Sequence, residues 1–559
     1  MKKSLKSRLF RTAILLSAAL GISACSVDTT VSVGASTAPQ VQHLYVTATQ
    51  VWLSTSATAS PTDNGWVGSK LATPVSIDLV ALNAGSLSSL LSGVKAGAGT
   101  YKQVRIVLAD SADPLTASAQ AAGLTWNAQV QYVDAQNNSA TLPLELPSPK
   151  SQLIIPATVA LSGGGAGVFM NASTSTADTS ATAAAASGTT TATVAVDLDT
   201  VRKWVLFKFD DQSGALMSPS MRVMTVKNAG AISGSVDLSR VASSVLTGPQ
   251  GIVVTAEALR ADGTRFEAVK SVALQSGGVF TLYPLPVTSS GNTVYDLVIH
   301  GPGIRTVILS QVPVSTSDAE SATAVQSSAI SISSARDYTV NTAANSAVLP
   351  GGSLVGFYQT IPGSTAPHLI DFALLDPFSG GFTSNLSLSA DAIDYGTYNK
   401  SGDIVMSTSA PDEGIGSYRI GGDAPLRVPS SLSTTISAPT AVVDAVQPIF
   451  LPPLGPITNA AVNGTLDVAA ARFDRGFLMI SRGGQLIEAV DLRNALSSLS
   501  ARIPFTVSGL PAAVDAARYD VSTRLWNSRD PAGTLTRAAA STQADLTTGS
   551  ASSISIAVP

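Results

Sequence analysis

The chain has 559 residues, of which 13% are charged, with 33 Lys and Arg against 37 Asp and Glu and a formal net charge of −4. That mild acidity argues against nucleic-acid binding, which needs concentrated basic surface. A single cysteine excludes any disulfide within the chain, so each of the roughly three to five domains expected at this length must be held by its own core. In chain order, Lys2, Lys3, Lys6, Arg8 and Arg11 come first, and no acid precedes Asp28. The apolar run Ala13–Leu20 follows. A basic start, a short apolar stretch and small residues at its end form a secretory signal. Crossing the hydrocarbon layer takes about 20 apolar residues; no stretch of the chain is long enough, so no spanning helix is expected.

The next residues are Ile22-Ser23-Ala24-Cys25. An aliphatic residue, two small ones and a cysteine resemble the lipobox of bacterial lipoproteins. The resemblance implies a signal peptide over residues 1–24, cleavage before Cys25, and lipid attachment at the Cys25 thiol. It also accounts for an otherwise unpaired cysteine in an exported chain. Bacterial lipoproteins carry two or three acyl chains, enough for stable membrane binding where one is marginal. Ser26, not aspartate, follows the cysteine, which by resemblance to the sorting rule of Gram-negative lipoproteins implies the outer membrane. Cleavage removes five positive side chains and takes the formal charge from −4 to −9. Residues 25–40 are small and polar and are expected to be a flexible tether.

From there, short runs of β-branched and apolar residues alternate with polar ones between Gly, Pro, Asn and Ser. That pattern predicts an all-β chain of tandem β-sandwich domains. A first domain is expected over 41–228. Its pieces in order are His43–Leu53, Val75–Asn83, Ala98–Leu108, Leu146–Ser151, Val194–Asp199, Trp204–Phe207 and Ser218–Val223. They resemble a bacterial lipoprotein domain of unknown function whose most specific motif is Gly-Thr-Tyr-x-Gln-Val-Arg, here Gly99–Arg105. Leu198 stands where that family has phenylalanine, Pro149 departs in a Pro-Ser-Gly turn, and inserts lie near 110–140 and 161–193. The family has no established activity, so the resemblance implies a fold and an address but no mechanism. Within the motif, Gly99 can take a positive φ, and alternation puts Tyr101, Gln103 and Arg105 on one face. Arg105 is expected to meet Asp197 or Asp199, either as a polar site or as a structural ion pair. The spacing of Leu87–Val94 predicts a short helix. Leu161–Thr193, almost without large residues, predicts a mobile loop. Asp210–Gly214 lacks the alternating ligands of a calcium loop and predicts a hairpin turn.

The second half contains a repeat. Gly234-Ser-Val-Asp-Leu238, Ile252–Ala256, Phe280-Thr-Leu-Tyr-Pro-Leu-Pro286 and Tyr295-Asp-Leu297 match Gly464-Thr-Leu-Asp-Val468, Phe477–Ser481, Phe505-Thr-Val-Ser-Gly-Leu-Pro511 and Tyr519-Asp-Val521. The Phe-to-Tyr spacing is 15 in one and 14 in the other. These blocks resemble the carboxypeptidase regulatory-like, transthyretin-like β-sandwich, although Ile503 stands where that family has glycine. The resemblance implies one such domain over 229–314 and another over 457–559. A diverged sandwich is expected over 338–439, with linkers at Ser315–Ser334 and Pro448–Pro456.

Chemistry is sparse. His43, His300 and His368 are the only histidines, none at metal-ligand spacing, and each reads as a solitary strand or loop residue. There is no nucleophile elbow, phosphate loop or zinc-protease helix motif. The expectation is therefore a membrane-anchored cell-envelope lipoprotein with a non-catalytic structural, adhesive or binding role, without cofactor or metal. Its partner is the lipid bilayer through acylated Cys25; a protein or glycan partner stays open. One alternative is a carbohydrate-binding envelope protein using exposed aromatic platforms, for which Trp52, Trp66, Trp126, Trp204 and Trp526 are the candidates. Another is an accessory subunit of an envelope complex.

Overall fold

The computed structural model describes residues 40–558 except 82–86, 96–98, 134–137, 148–151, 162–164, 172–191, 200–203, 210–211, 219, 242–250, 289–292, 318–321, 327, 343–349, 379–385, 401–402, 438–440, 444–456, 469–472, 498–499, 513–517, 528–537 and 550. Cys25, Ser26 and the tether lie outside the described residues, as does the expected linker Pro448–Pro456. Strands make up 61% of the structure and helix 5%. The all-β, tandem-sandwich architecture read from alternation is the one observed.

The first module has an eight-stranded sheet. Its order is Trp204–Phe209, Gln212–Met217, Ser139–Glu145, Gln129–Val133, Gln40–Ser54, Gly99–Leu108 and Gln152–Leu161, with Val67–Asp78 also paired to Gln40–Ser54. Against it lies a sheet of Ser220–Thr225, Ala192–Asp199, Gly165–Asn171 and Leu87–Lys95. Alternating Val46, Val51, Leu53, Val104 and Ile106 from one sheet meet Val194 and Val196 from the other in a single core. Two expectations are corrected here. Leu87–Lys95 is a strand, paired with Gly165–Asn171 through two register irregularities. Such irregularities break strict alternation, which is why helical spacing survives in a strand. The expected loop 161–193 contains the strand Gly165–Asn171, built on the short β-prone run Val168-Phe169-Met170 that the Gly- and Ala-rich surroundings mask.

Three further modules share one pairing scheme. In the second, Ala229–Asp237 pairs antiparallel with Val279–Pro286 and parallel with Thr323–Ala324 and Ile330–Ser331. Its facing sheet runs Phe266–Ala273, Val253–Leu259, Thr293–His300, Val307–Val314. In the fourth, Ile457–Asp467 pairs antiparallel with Arg502–Ala512 and parallel with Ala551–Ala557. Its facing sheet runs Gln485–Asp491, Arg475–Arg482, Arg518–Trp526, Ala538–Asp545. In the third, Asp337–Thr342 pairs antiparallel with Leu386–Ser389 and parallel with Ala441–Val443. The sheet across from it runs His368–Leu374, Leu354–Gln359, Ser417–Asp423, Ser433–Ser437. The expected linker Ser315–Ser334 therefore includes two closing strands of the second module. The serines that suggested a linker flank Ile330 and Ile332, both buried.

The matched blocks have a physical basis. Gly234 lies opposite Phe280, and Gly464 opposite Phe505. A Cβ on either glycine would fall 2.5 or 2.6 Å from the phenylalanine Cζ, so each ring lies over a glycine that only hydrogen allows. The tyrosines clasp the same corner. Tyr295 Oη donates to the Pro286 carbonyl at 2.5 Å and Tyr519 Oη to the Pro511 carbonyl at 2.7 Å. In the third module Tyr418 Oη donates to the Ser389 carbonyl at 2.8 Å.

The modules are fused rather than strung out. Strand Ile393–Thr397, from within the third module's span, extends the second module's sheet by pairing with Val307–Val314, and Ser407–Ser409 pairs with it in turn. Ala195 and Met224 of the first module pack with Ala229, Ala231 and Tyr283 of the second. Phe207 and Leu216 of the first, Leu374 of the third, and Phe477, Met479 and Trp526 of the fourth form one apolar cluster.

Candidate functional site

The buried charges lie where modules meet. In the fourth module the sequence Val521-Ser-Thr-Arg-Leu-Trp526 sets Arg524 in an otherwise uncharged stretch of strand. Its Nε donates to Glu145 Oε2 at 3.0 Å and its Nη2 to Asp110 Oδ2 at 2.5 Å, both on the first module. All three side chains are buried. Burial pushes the Asp110 carboxyl up and Arg524 pulls it back. Arg524 itself is held up by the two acids against its own desolvation. Lys270 of the second module pairs with Asp197 of the first, both buried.

Between the second and third modules, Glu257 interrupts the apolar strand Val253–Leu259. Its Oε1 accepts from the Leu369 amide at 3.1 Å, and its Oε2 lies 3.2 Å from His368 Nδ1. His368 Nε2 is 3.8 Å from Asp296 Oδ2, and its ring stacks on Phe266 at 4.1 Å. Burial pushes His368 down to about 4. Burial, and then Asp296, push Glu257 well above the usual carboxylate range. His300 lies 3.2 Å from Asp371 in the same interface. His43 Nδ1 lies 2.6 Å from Asp78 Oδ2. The expectation of solitary histidines is thus corrected for all three, because every partner comes from a distant strand. Among the described residues no group of three or more His, Cys, Asp or Glu is placed to hold a metal ion, and no helix is long and apolar enough to cross a membrane.

The expected pairing of Arg105 with Asp197 is not formed, since Asp197 is engaged by Lys270, and the side chain of Asp199, the other expected partner, lies outside the described residues. Arg105 instead lies opposite Trp52 across the strand pair. Its guanidinium stands 5.4 Å from the Trp52 ring and 4.6 Å from the Trp66 ring, and its Nη1 donates to the Pro61 carbonyl at 2.6 Å. Two of the tryptophans proposed as sugar platforms are therefore brought together, but around a guanidinium. Trp526 is buried in the shared apolar cluster, Trp204 packs on the first core, and Trp126 is half-buried. The interface residues Asp110, Glu145, Glu257, Asp296 and Arg524 were missed by the sequence reading. For Glu145, Glu257, Asp296 and Arg524 the signal is a charge within a largely apolar strand, which marks a buried partner without naming it; Asp110 lies just beyond the strand Gly99–Leu108 and carries no such signal.

Arg105 also fixes one wall of a cleft of about 350 Å³ where the first, third and fourth modules meet. Ser60 and Pro61 form that wall, with Gln103 of the same motif beside them. Leu426 reaches in from the third module, and Arg482, Arg518 and Asp520 line the fourth-module side.

Comparison with known proteins gives a domain but no activity. Against curated protein sequences, nothing matches the chain. Among solved structures, a DUF3823 family protein from Bacteroides uniformis ATCC 8492 is similar at 11% identity and TM-score 0.13, covering 57% of this chain and 99% of that one. A streptococcal ancillary pilin gives 10% identity and TM-score 0.13, covering 59% and 98%. A tetra-tandem repeat from the extending region of a large adhesion protein gives 12% identity and TM-score 0.10, covering 83% and 100%. Residues 28–170, which include the Gly99–Arg105 motif and most of the eight-stranded sheet, match the family described as "Domain of unknown function (DUF4382)".

Proposed function

We propose that this chain is a lipid-anchored, non-catalytic protein of the cell envelope, in which four fused β-sandwich modules act as one rigid structural or adhesive head. The observation that carries the reading is the way the buried charges are used. Arg524 with Asp110 and Glu145, and Lys270 with Asp197, each tie one module to another through buried charge, and the buried contact of His368 with Glu257 ties a further pair of modules with burial holding both groups toward their neutral forms. Buried ion pairs are weak sources of stability but define a single arrangement well, which is what a load-transmitting or surface-presenting head requires. The anchor is Cys25, reached through residues 25–40, and Ser26 favours the outer membrane. The test is a Cys25→Ala variant followed by cell fractionation. The variant should leave the membrane fraction for the soluble envelope fraction; retention in the membrane would overturn the anchor. Protease shaving of intact cells then separates surface display from display toward the periplasm.

A further inference from the structure

A pocket of about 220 Å³ lies where the second module covers the outer face of the third module's four-stranded sheet. Its floor is bare backbone. Val355, Phe357, Tyr418 and Ile420 turn into the third module's core. Alternation therefore sends Leu354, Gly356 and Tyr358 of one strand, and Gly421 and Asp423 of the next, to the outer face. Gly356 and Gly421 are paired directly across those strands. A Cβ on Gly356 would fall 2.9 Å from Tyr358 Oη, and one on Gly421 would fall 2.8 Å from Arg265 Nη1. Tyr358 and Arg265 thus lean over the paired glycines, and the pocket is open because neither position carries a side chain.

The polar groups around it are enclosed but unengaged. Arg265, from the second module, is only 3% exposed. Its Nη1 donates to the Ser430 carbonyl at 3.1 Å and its guanidinium stands 5.3 Å from the Tyr358 ring. Its Nε and Nη2 have no partner among the described residues. Tyr358 is 5% exposed, and its Oη makes no hydrogen bond among the described residues. Burial pushes that phenol up, so it stays protonated and able to donate. Asp423 is half-buried and has neither a hydrogen bond nor an ion pair among the described residues. The other acid in the lining, Glu267, is already taken by Arg260. Enclosed donors and acceptors left without partners are costly, and a ligand that engages them removes that cost.

The two open charges select the ligand. The Arg265 guanidinium lies over Gly421, and Asp423 stands two residues further along the same strand, about 7 Å away at roughly 3.4 Å per residue. With a hydrogen bond of about 2.9 Å at each end, that interval holds one short molecule. A simple anion on Arg265 would be repelled by Asp423, and a simple cation on Asp423 would be repelled by Arg265. A zwitterion satisfies both, with its carboxylate held by the charge-assisted bonds that arginine makes well. Leu354, Leu369 and Phe372 complete the wall and suit an apolar side chain. The volume is below that of drug-sized sites, which limits the ligand to a few heavy atoms beyond the charged groups. We propose that this pocket binds a free α-amino acid with a small apolar side chain, its carboxylate on Arg265 and the Tyr358 hydroxyl and its ammonium on Asp423. The inference adds a ligand to the structural role, which does not depend on it.

The test is calorimetric titration of the full chain in detergent with L-valine, with isovalerate, which lacks the ammonium, and with isobutylamine, which lacks the carboxylate. Saturable binding of valine is expected, with each analogue weaker by about tenfold or more, the range for a lost charged hydrogen bond. Asp423→Asn should weaken valine by about tenfold or more, and Tyr358→Phe by about threefold, the range for a lost neutral donor. Neither side chain has a polar partner in the protein, so both variants should melt like the parent without ligand. Tyr358→Phe keeps the ring under Arg265, so a folding defect in Asp423→Asn would still leave one variant to decide. No saturable valine binding would overturn the proposal. Isovalerate binding as tightly as valine would make this a plain anion site, and isobutylamine binding as tightly would make it a plain cation site; either result sinks the amino-acid assignment. So would valine affinity unchanged in every variant that folds.

Discussion

His368 sits where an imidazolium would lose its hydration, stacked on Phe266 and enclosed by the second and third modules. Its folded value of about 4 lies below the ordinary 6.5. Between those two pH values the unfolded chain takes up a proton that the native state refuses, so the contribution is full above pH 6.5 and is lost as pH falls toward 4. The total is about 3 kcal/mol at roughly 1.4 kcal/mol per pH unit. Glu257 acts in the opposite sense. Its raised pKa gives stability at low pH that is lost as pH rises through the folded value. A His368→Gln variant should therefore flatten the slope of urea midpoint against pH between 4 and 6.5. Midpoints of both proteins at pH 4, 5 and 6.5 check this, and equal slopes would contradict it. At this scale the sequence was nearly silent. A histidine in a strand and a glutamate in an apolar run are visible, but their meeting across 111 positions is not.

The corner formed by a proline-ended strand and the tyrosine of the next recurs in the second and fourth modules. It joins the two sheets of a sandwich at one end, and both phenols are pushed up to about 12 mainly by burial. Tyr295→Phe and Tyr519→Phe keep the ring in the core but leave the Pro286 or Pro511 carbonyl without its donor. Each should cost about 1–2 kcal/mol, read from the urea midpoint. A change below a few tenths of a kcal/mol would mean that water replaces the hydroxyl. Elements of this kind were legible because they repeat. The paired Gly, Phe and Tyr positions stand at nearly equal spacing in both copies, since cross-strand neighbours must keep register. The third module was harder to read because Tyr418 bonds the Ser389 carbonyl without the preceding Phe-x-Leu block.

Independent sandwiches on a string would melt separately. Here the apolar cluster of Phe207, Leu374, Phe477 and Trp526 spans three modules, and the turn at Gly483 is pressed against the first module. A Cβ there would fall 2.6 Å from the Ile154 carbonyl oxygen, and that turn accepts the Ile154 amide at 3.2 Å. Heating the intact protein should give one calorimetric transition, and resolved transitions for separate modules would refute the fused reading. Arg524→Met removes the cation that serves both Asp110 and Glu145. It should cost about 3–5 kcal/mol, the price of stranding buried charge, and should loosen the fourth module first, seen as early protease cleavage within residues 457–559.

What the sequence determined by itself is local. Alternation of apolar residues with turn residues between them specifies strands, glycine opposite phenylalanine specifies register, and a lone cysteine after small residues specifies a candidate anchor, because each of these rests on neighbours along the chain or on a repeated spacing. The tertiary structure decided which strands closed which sheet, so that Gly165–Asn171 and Ile330–Ser331 became strands despite loop-like composition. It also decided the partners of Arg105, His368 and Arg524, and the cleft beside Gln103. Those depend on how finished sandwiches pack together, and the geometry of that packing is written in no single stretch of residues.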